Sequence, residues 1–177
     1  MPDKIPEILP LINERDEVVG SCTKEEAHAK GLLHRICAVM LENENGEFLI
    51  PTASEIKVDA GKLYHAAAGH VRAKETYLEA AGRELLEETG IAVRTEDLRR
   101  LGAYWIEVEY SSVNKEKARA EIFLANYSPR MGEIILNEEQ VKGVWLSKKR
   151  LAAIYQSGAS RFSVPFRLTC EKLLNIF

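Results

Sequence analysis

The stretch GHVRAKETYLEAAGRELLEETGI, residues 69–91, decides the fold of this chain and the hypothesis about its chemistry. Leucines recur at helical spacing over residues 75–89, and Gly90 follows as a stop signal, so the pattern predicts a loop leading into a helix. Three glutamates share an arc of that helix about 100° wide, namely Glu84, Glu87 and Glu88. The segment therefore predicts a helix with one acidic face and, on another side, a leucine face that packs.

Clustered carboxylates of this kind indicate a bound cation. Like charges four residues apart, as in Glu84 and Glu88, cost roughly a few tenths of a kcal/mol in an ordinary helix. Carboxylate oxygens suit Mg²⁺ or Mn²⁺, which bind through a few acids, water and substrate phosphate. The competing interpretation is a solvated helix face, the usual role of a glutamate-rich stretch. The register of Glu75, Arg83 and two glycines with these acids favours the metal site.

The stretch resembles the signature of the Nudix family. Its order is a glycine, five residues, a glutamate, seven residues, REL, one residue and EETGI, and it matches the Nudix box at every fixed position. The resemblance implies an α/β (α+β) fold, a Nudix-type α/β/α sandwich with a mixed central sheet that carries the catalytic loop and helix. It also implies a Mg²⁺- or Mn²⁺-dependent hydrolase of phosphoanhydride bonds. The implied metal ligands are Glu84, Glu87 and Glu88, supported by Arg83 and Glu75, with Gly69 letting the backbone approach the metal; the general base stays open.

The hydrophobic pattern elsewhere is typical of mixed strands and helices in one domain over residues 1–177. The predicted strands are 8–12, 17–21, 34–41, 47–50, 101–110, 118–127 and 144–146, and the predicted further helices are 24–30, 148–156 and 164–177. Thr23 is expected to cap the first of these helices in a capping box with Glu26. Segments 51–62 and 111–117 are predicted loops. Residues 1–31 would thus form a strand pair and a short helix.

Bulk properties exclude several classes of protein. A net charge of −3 and a pI near 5.9 argue against binding long nucleic acid by phosphate neutralisation. A small anionic substrate stays compatible, because a metal ion offsets local charge. Three cysteines without a CxxC pair indicate a reducing compartment. The proline-broken, acidic start is unlike a signal peptide, and no apolar run approaches the ~20 residues that span a bilayer. We therefore expect a cytoplasmic protein without membrane contact.

A wider resemblance points to Nudix proteins related to isopentenyl-diphosphate isomerase. It rests on INERDEVVGSCTKEEAHAKGLLHR at 12–35, AAAGHV at 66–71 and GEIILNEEQVKGVWLSKKRL at 132–151. Such isomerases bind a metal through histidines and glutamates, which implies possible additional metal ligands at His34, His70 and Glu116, with His28 a looser match and Glu121 a further carboxylate. They also use a cysteine just before the Gly-His pair, where this chain has Ala68. Alanine cannot exchange a proton, so isomerase chemistry is disfavoured.

Two features leave the substrate open. Relatives commonly carry arginines between residues 51 and 64, whereas this chain has only Lys57 and Lys62 there as diphosphate-binding candidates. The leading hypothesis is a hydrolase of a nucleoside diphosphate linked to another group X, or of a similar small-molecule diphosphate. The alternatives are an isomerase and a catalytically silent Nudix domain that binds a ligand. The resemblance also makes a homodimer plausible, with the N-terminal strands as an exchange surface. Gly82, a costly residue within a helix, is expected to allow close packing beneath it.

Overall fold

An eight-stranded mixed sheet forms the centre of the molecule in the computed structural model, which describes residues 6–176. The strands are β1 (Ile8–Ile12), β2 (Val18–Thr23), β3 (His34–Glu42), β4 (Phe48–Ala53), β5 (Ala67–His70), β6 (Arg99–Ser111), β7 (Asn114–Asn126) and β8 (Gln140–Leu146). The helices are α1 (Lys24–Lys30), α2 (Tyr77–Thr89), α3 (Lys148–Ser157) and α4 (Val164–Lys172). Within residues 6–176, none of the helices has the length and apolar character needed to cross a membrane.

Strand β3 is the hub of the sheet. It pairs antiparallel with β5 and parallel with β7, and β6 extends the sheet beyond β7. The N-terminal hairpin of β1 and β2 joins β3 through Leu11 opposite His34, and β4 connects β3 to β8. The uninterrupted apolar run from Ile36 to Leu41 is typical of a strand that is covered on both faces.

Helices cover both faces of this sheet. Cys37, Val39 and Leu41 pack with Leu85 of α2 on one face, because alternate residues of a strand point to opposite sides. Ala38 and Met40 belong to a second core that includes residues of α3 and α4, among them Leu151, Phe166 and Cys170. The predicted α/β/α sandwich with a mixed sheet is therefore confirmed.

The segment before β3 contains two strands and a helix, as predicted, but β2 runs over Val18–Thr23 instead of 17–21, and the helix cap also differs. Thr23 Oγ1 accepts from the Glu26 backbone N–H at 3.2 Å, and Gly31 ends α1 with a left-handed φ of 62°. The Glu26 carboxylate does not close the capping box; it binds Lys30 Nζ at 2.6 Å. β1, β2 and α1 thus form over residues 8–30, while residues 1–5 of the predicted N-terminal segment lie outside the described part of the chain.

Several predicted boundaries were wrong. Residues 51–53 continue β4 instead of entering a loop, and β8 begins at Gln140. The predicted loop 111–117 is mostly strand, because β6 and β7 meet in a tight turn with Ser111 opposite Asn114. Strand β5 was not predicted, since its sequence AAGH has no alternation of apolar and polar residues. Helix α4 ends at Lys172, well before the predicted residue 177.

Helix α2 also differs from its predicted form. It begins at Tyr77 after Thr76, which closes a capping box with Glu79, so Glu75 precedes the helix. The prediction that leucines pack on one side of α2 and glutamates lie on another is wrong in part. Leu85 is fully buried, but Leu78 and Leu86 are exposed, and the sheet-facing side also carries glutamates. Glu84 and Glu88 are 8% and 3% exposed.

Candidate active site

Helix α2 and strand β5 approach each other so closely that only glycine fits at one point between them. A Cβ atom on Gly69 would lie 2.2 Å from Cδ of Glu84, far inside contact distance. Gly69 alternates along β5 with Ala68 and His70, which therefore point to the opposite face. The absence of a side chain at Gly69 leaves room for the Glu84 carboxylate against the strand.

Arg83 and Glu75 orient the first of the helix glutamates. The Arg83 guanidinium donates to Glu75 at 2.7 and 2.9 Å and to Glu84 Oε1 at 2.6 Å. It also donates to the backbone oxygen of His70 at 3.0 Å, which ties the helix to the end of β5. Burial raises the pKa of Glu75, but the bonds from Arg83 and from the Arg72 backbone N–H outweigh it and leave the pKa lowered. Arg83 and Glu75 therefore lie where the resemblance implies residues that orient the metal ligands.

Glu88 is held from three sides. Its Oε2 accepts from Gln140 Nε2 at 2.7 Å and from the Ala68 backbone N–H at 3.4 Å, and its Oε1 lies 3.7 Å from Lys57 Nζ. Burial raises the pKa of Glu88 to about 8, although Lys57 lowers it in part. Burial likewise raises the pKa of Glu84, whereas Glu87 extends outward with a side chain 46% exposed. Two desolvated carboxylates on adjacent turns are a site that a divalent cation would stabilise.

A second polar cluster assembles from four separate elements. It contains His28 of α1, His34 at the start of β3, His70 at the end of β5 and Glu116 of β7. One ligand atom from each lies within 4.8 Å of the others. His28 Nε2 is 3.0 Å from His70 Nε2, and His34 Nε2 is 2.8 Å from Glu116 Oε1.

The proton positions in this cluster fit a cation. His34 Nδ1 lies 2.8 Å from the Leu32 carbonyl oxygen, and a carbonyl can only accept, so Nδ1 carries the hydrogen. Nε2 is then the ring nitrogen that faces the Glu116 carboxylate, in the position of a ligand atom. Both His34 Nε2 and Glu116 Oε1 are buried without a hydrogen bond among residues 6–176. Burial lowers the pKa of His28 and of His70, which favours their neutral rings. Each neutral ring has one unprotonated nitrogen, and the two Nε2 atoms share one hydrogen bond.

Both clusters open into one cavity of about 900 Å³. Its polar wall contains the three helix glutamates together with His28, His70 and Glu116, while fully buried His34 lies behind them. Ile36, Ala38, Ala120 and Ile122 line an apolar wall. Three cations reach the cavity, namely Lys24, Lys57 and Arg72. The combination suits an anionic group at the metal-ligating wall and a less polar group beyond it.

The structure separates the predicted residues by position. Lys57 lines the cavity and also binds Glu139 at 2.5 Å, whereas Lys62 lies outside the cavity wall and pairs with Asp59. Glu121 likewise lies outside that wall, ion-paired with Arg100 and Arg119 on the other face of the sheet.

Sequence reasoning missed Lys24, Arg72 and Glu139 as cavity residues and had only a loose match for His28. Arg72 lies within residues 69–91, three positions after Gly69, and this closeness in sequence was a signal that could have identified it. Lys24, His28 and Glu139 come from distant segments and gave no comparable signal.

Comparisons with known proteins agree with this architecture. The family model described as NUDIX domain matches residues 32–163. The chain is 32% identical over 174 residues to the isopentenyl-diphosphate Delta-isomerase of Aliivibrio fischeri strain MJ11, covering 95% of each chain. It is 30% identical to the Nudix hydrolase YfcD of Shigella flexneri, covering 81% of this chain and 75% of that protein.

Solved structures show the same fold. DR0079 from Deinococcus radiodurans matches with a TM-score of 0.68 and 23% identity, covering 97% of this chain and 99% of that one. The MutT protein from Methanosarcina mazei Go1 matches with a TM-score of 0.63 and 24% identity, over 81% and 94%. Because the domain match spans most of the chain and includes the loop and helix of the site, this chain belongs to the Nudix family, in which it resembles the isopentenyl-diphosphate isomerase-like branch.

Proposed function

We propose that the protein is a divalent-metal-dependent hydrolase that cleaves a phosphoanhydride bond in a small diphosphate, either a nucleoside diphosphate linked to another group X or a similar compound. One observation carries the proposal. Glu84, Glu87 and Glu88 line the same cavity as the histidine cluster, while Ala68, at the position of the isomerase cysteine, offers no proton. The cavity thus has the groups for phosphate chemistry and lacks that acid for alkene protonation.

The helix glutamates are the proposed ligands for Mg²⁺ or Mn²⁺. The burial and the raised pKa values of Glu84 and Glu88 support this assignment, since a bound cation would offset the cost of charged carboxylates there. When bound, such a cation supplies Lewis-acid chemistry for a phosphoryl group. Arg83 and Glu75 orient the ligands, and Gln140 holds Glu88 in place.

His28, His34, His70 and Glu116 are proposed as a second set of ligands. Three imidazoles and a carboxylate suit Mn²⁺ or another transition metal better than Mg²⁺. His34 Nε2 and Glu116 Oε1 support the assignment. They face each other at 2.8 Å without a hydrogen bond among residues 6–176, and a cation ligated by both would satisfy both atoms.

Lysine and arginine side chains at the cavity are proposed to bind the substrate's phosphates. Lys57 stands beside Glu88, and Lys24 and Arg72 lie near Glu7 at the cavity rim. In the absence of ligand, Glu88 and Glu139 outweigh the burial of Lys57 and raise its pKa, so it stays charged. A charged lysine among carboxylates is positioned to exchange partners when a phosphate enters.

The isomerase alternative has its own support. The match to the Aliivibrio fischeri isomerase covers nearly the full length of both chains, and the histidine cluster fits the ligand types that the resemblance implies. Against it stands Ala68, whose backbone N–H serves Glu88 and whose side chain carries no titratable group. We expect that Ala68→Cys alone will not create an efficient isomerase.

One substrate panel separates these functions. The protein is incubated with Mg²⁺, and separately with Mn²⁺, and with nucleotide sugars, dinucleotide polyphosphates and isopentenyl diphosphate. Phosphate products are followed by ³¹P NMR, and isomerisation is followed separately by proton NMR. Metal-dependent hydrolysis that is lost in Glu88→Gln supports the proposal. Robust interconversion of isopentenyl and dimethylallyl diphosphates overturns it, and binding without turnover across the panel identifies a silent domain.

A further inference from the structure

A buried hydrogen-bond chain runs from helix α4 to the wall of the cavity. The Tyr104 hydroxyl lies 2.7 Å from the Pro165 carbonyl oxygen and 2.7 Å from Thr169 Oγ1. Thr169 Oγ1 in turn lies 2.8 Å from His65 Nε2. His65 and Thr169 are 1% and 0% exposed, so water does not compete for these bonds.

The donors in this chain can be assigned from one end to the other. The Pro165 carbonyl only accepts, so Tyr104 donates its single hydroxyl hydrogen there. Thr169 must therefore donate its own hydrogen to the Tyr104 oxygen. With that hydrogen used, Thr169 can only accept from His65, which carries its proton on Nε2.

The other ring nitrogen of His65 is consequently a bare acceptor. Its Nδ1 is buried and has no hydrogen-bond partner within residues 6–176. Burial, with a smaller effect from Lys57, lowers the pKa of His65 to about 3, so the ring stays neutral at physiological pH. A buried acceptor without a partner is costly, and native proteins usually give such an atom one.

The surroundings of His65 indicate which partner is missing. His65 lines the cavity with Tyr104 and Pro165, and its ring packs edge-on against Phe166 at 5.2 Å. Tyr104 belongs to the same core as the apolar cavity wall of Ile36, Ala38, Ala120 and Ile122. This part of the cavity wall is therefore mostly carbon, with the His65 ring as a polar group within it.

We propose that His65 Nδ1 accepts a hydrogen bond from a hydroxyl or N–H group on the non-phosphate part of the substrate. The inference rests on the proposed function and names the chemistry of X: a largely apolar group that carries one donor. A pure hydrocarbon tail leaves Nδ1 unpaired, and an ether oxygen places two lone pairs against each other. His65 thus acts as a specificity-determining residue that discriminates against prenyl diphosphates.

The tautomer is tested first, in the ligand-free protein labelled with ¹⁵N-histidine. Two-dimensional ¹H–¹⁵N NMR is expected to show His65 as the neutral ring protonated on Nε2 across neutral pH. A ring protonated on Nδ1 would overturn the inference whatever the enzyme hydrolyses.

The acceptor is tested with non-hydrolysable probes, methylenediphosphonate monoesters of alkyl, ω-methoxyalkyl and ω-hydroxyalkyl chains in a graded series of lengths. At the best length, the hydroxyalkyl ester is expected to bind about tenfold more tightly than the other two in calorimetry. It should also move the Nδ1 resonance to lower frequency. His65→Phe is expected to abolish the preference, and Thr169→Val, which removes the oxygen that accepts from Nε2, is expected to weaken it. The control Thr169→Ser keeps the hydroxyl and loses only a methyl group, so it should retain the preference.

The outcomes separate the inference from the proposed function. Equal binding of the three esters at every length, or an Nδ1 resonance that does not change with the hydroxyalkyl ester, overturns the role of His65 and leaves the hydrolase proposal intact. Loss of the preference in Thr169→Ser as well assigns it to packing around α4 and also overturns the inference. Failure of every ester to bind in the presence of Mg²⁺ overturns the diphosphate site itself.

Discussion

Glu88 is the least exposed of the helix glutamates, and its replacement separates catalysis from folding. Glu88→Gln keeps an oxygen that can still accept from Gln140 Nε2, so the variant should fold. Loss of the charge removes transition-state stabilisation, and we expect kcat to fall at least ~10²-fold at saturating Mg²⁺. Steady-state kinetics with a substrate from the panel measures this. Near-normal turnover would exclude the acidic helix as the catalytic site, and an unfolded variant would make Glu88 structural.

The same residue predicts how the metal-free protein responds to pH. Because the folded-state pKa of Glu88 is raised from 4.5 to about 8, the folded protein holds this proton more tightly than the unfolded chain. That contribution to stability is fully present below the unfolded pKa and is lost as pH rises through about 8. In EDTA, the melting temperature of the wild type relative to Glu88→Gln should therefore decrease between pH 5 and pH 8. A difference that stays constant or increases would contradict the environment described for Glu88.

Two glycines of the box give opposite predictions. Gly69→Ala places a methyl group on the Glu84 carboxylate and should displace it, weakening Mn²⁺ binding by at least ~10-fold. Gly82→Ala is the matched control, because a Cβ there meets nothing within 4 Å, so the expected close packing under Gly82 is wrong. It should stabilise α2 by up to ~1 kcal/mol and leave metal affinity unchanged. Calorimetry and thermal melts measure both; unchanged affinity in Gly69→Ala would contradict the steric argument.

The N-terminal hairpin offers a test of the expected homodimer. Strand β2 lies at one end of the strand order β2-β1-β3-β4-β8, and Val18 and Val19 are 57% and 65% exposed. Exposed apolar residues on an edge strand are a surface for pairing with another chain. If this edge forms the dimer, Val18→Lys with Val19→Lys should shift sedimentation velocity toward the monomer. The control Val113→Lys, at the exposed turn between β6 and β7, should not.

Local patterns predicted those elements whose information lies within their own sequence. Thr23 and Gly31 mark the ends of α1, and Gly90 marks the end of α2, through capping bonds that depend on a few adjacent residues. Strand β5 was not predicted, because its extended conformation depends on pairing with β3, as in Gly69 opposite Cys37. The burial of Glu84 could not be predicted for the same reason, because the periodicity of a helix does not show where β5 packs against it.

Across the whole molecule, the Nudix box could be recognised, but the cavity around it could not be assembled from sequence alone. His70 lies within the box, and His34 and Glu116 were identified through resemblance. Their convergence depends on β3 lying between β5 and β7. The hydrogen-bond chain behind His65 could not be predicted from the sequence, because Thr169 and Tyr104 lie in segments whose patterns indicate only a core helix and a strand.

The histidine-cluster ligands lie far apart in the sequence, and this separation has a consequence for thermal stability. An ion that joins His28 of α1 to Glu116 of β7 acts as a removable cross-link. The chain between these two residues cannot expand fully on unfolding until the ion is released. The midpoint of denaturation should then rise with the logarithm of free Mn²⁺ above its dissociation constant, and chelation should lower it. Differential scanning calorimetry across a metal-buffer series measures this, with His28→Gln expected to flatten the dependence. Metal availability in the surroundings would then determine how long each molecule survives as well as how fast it works.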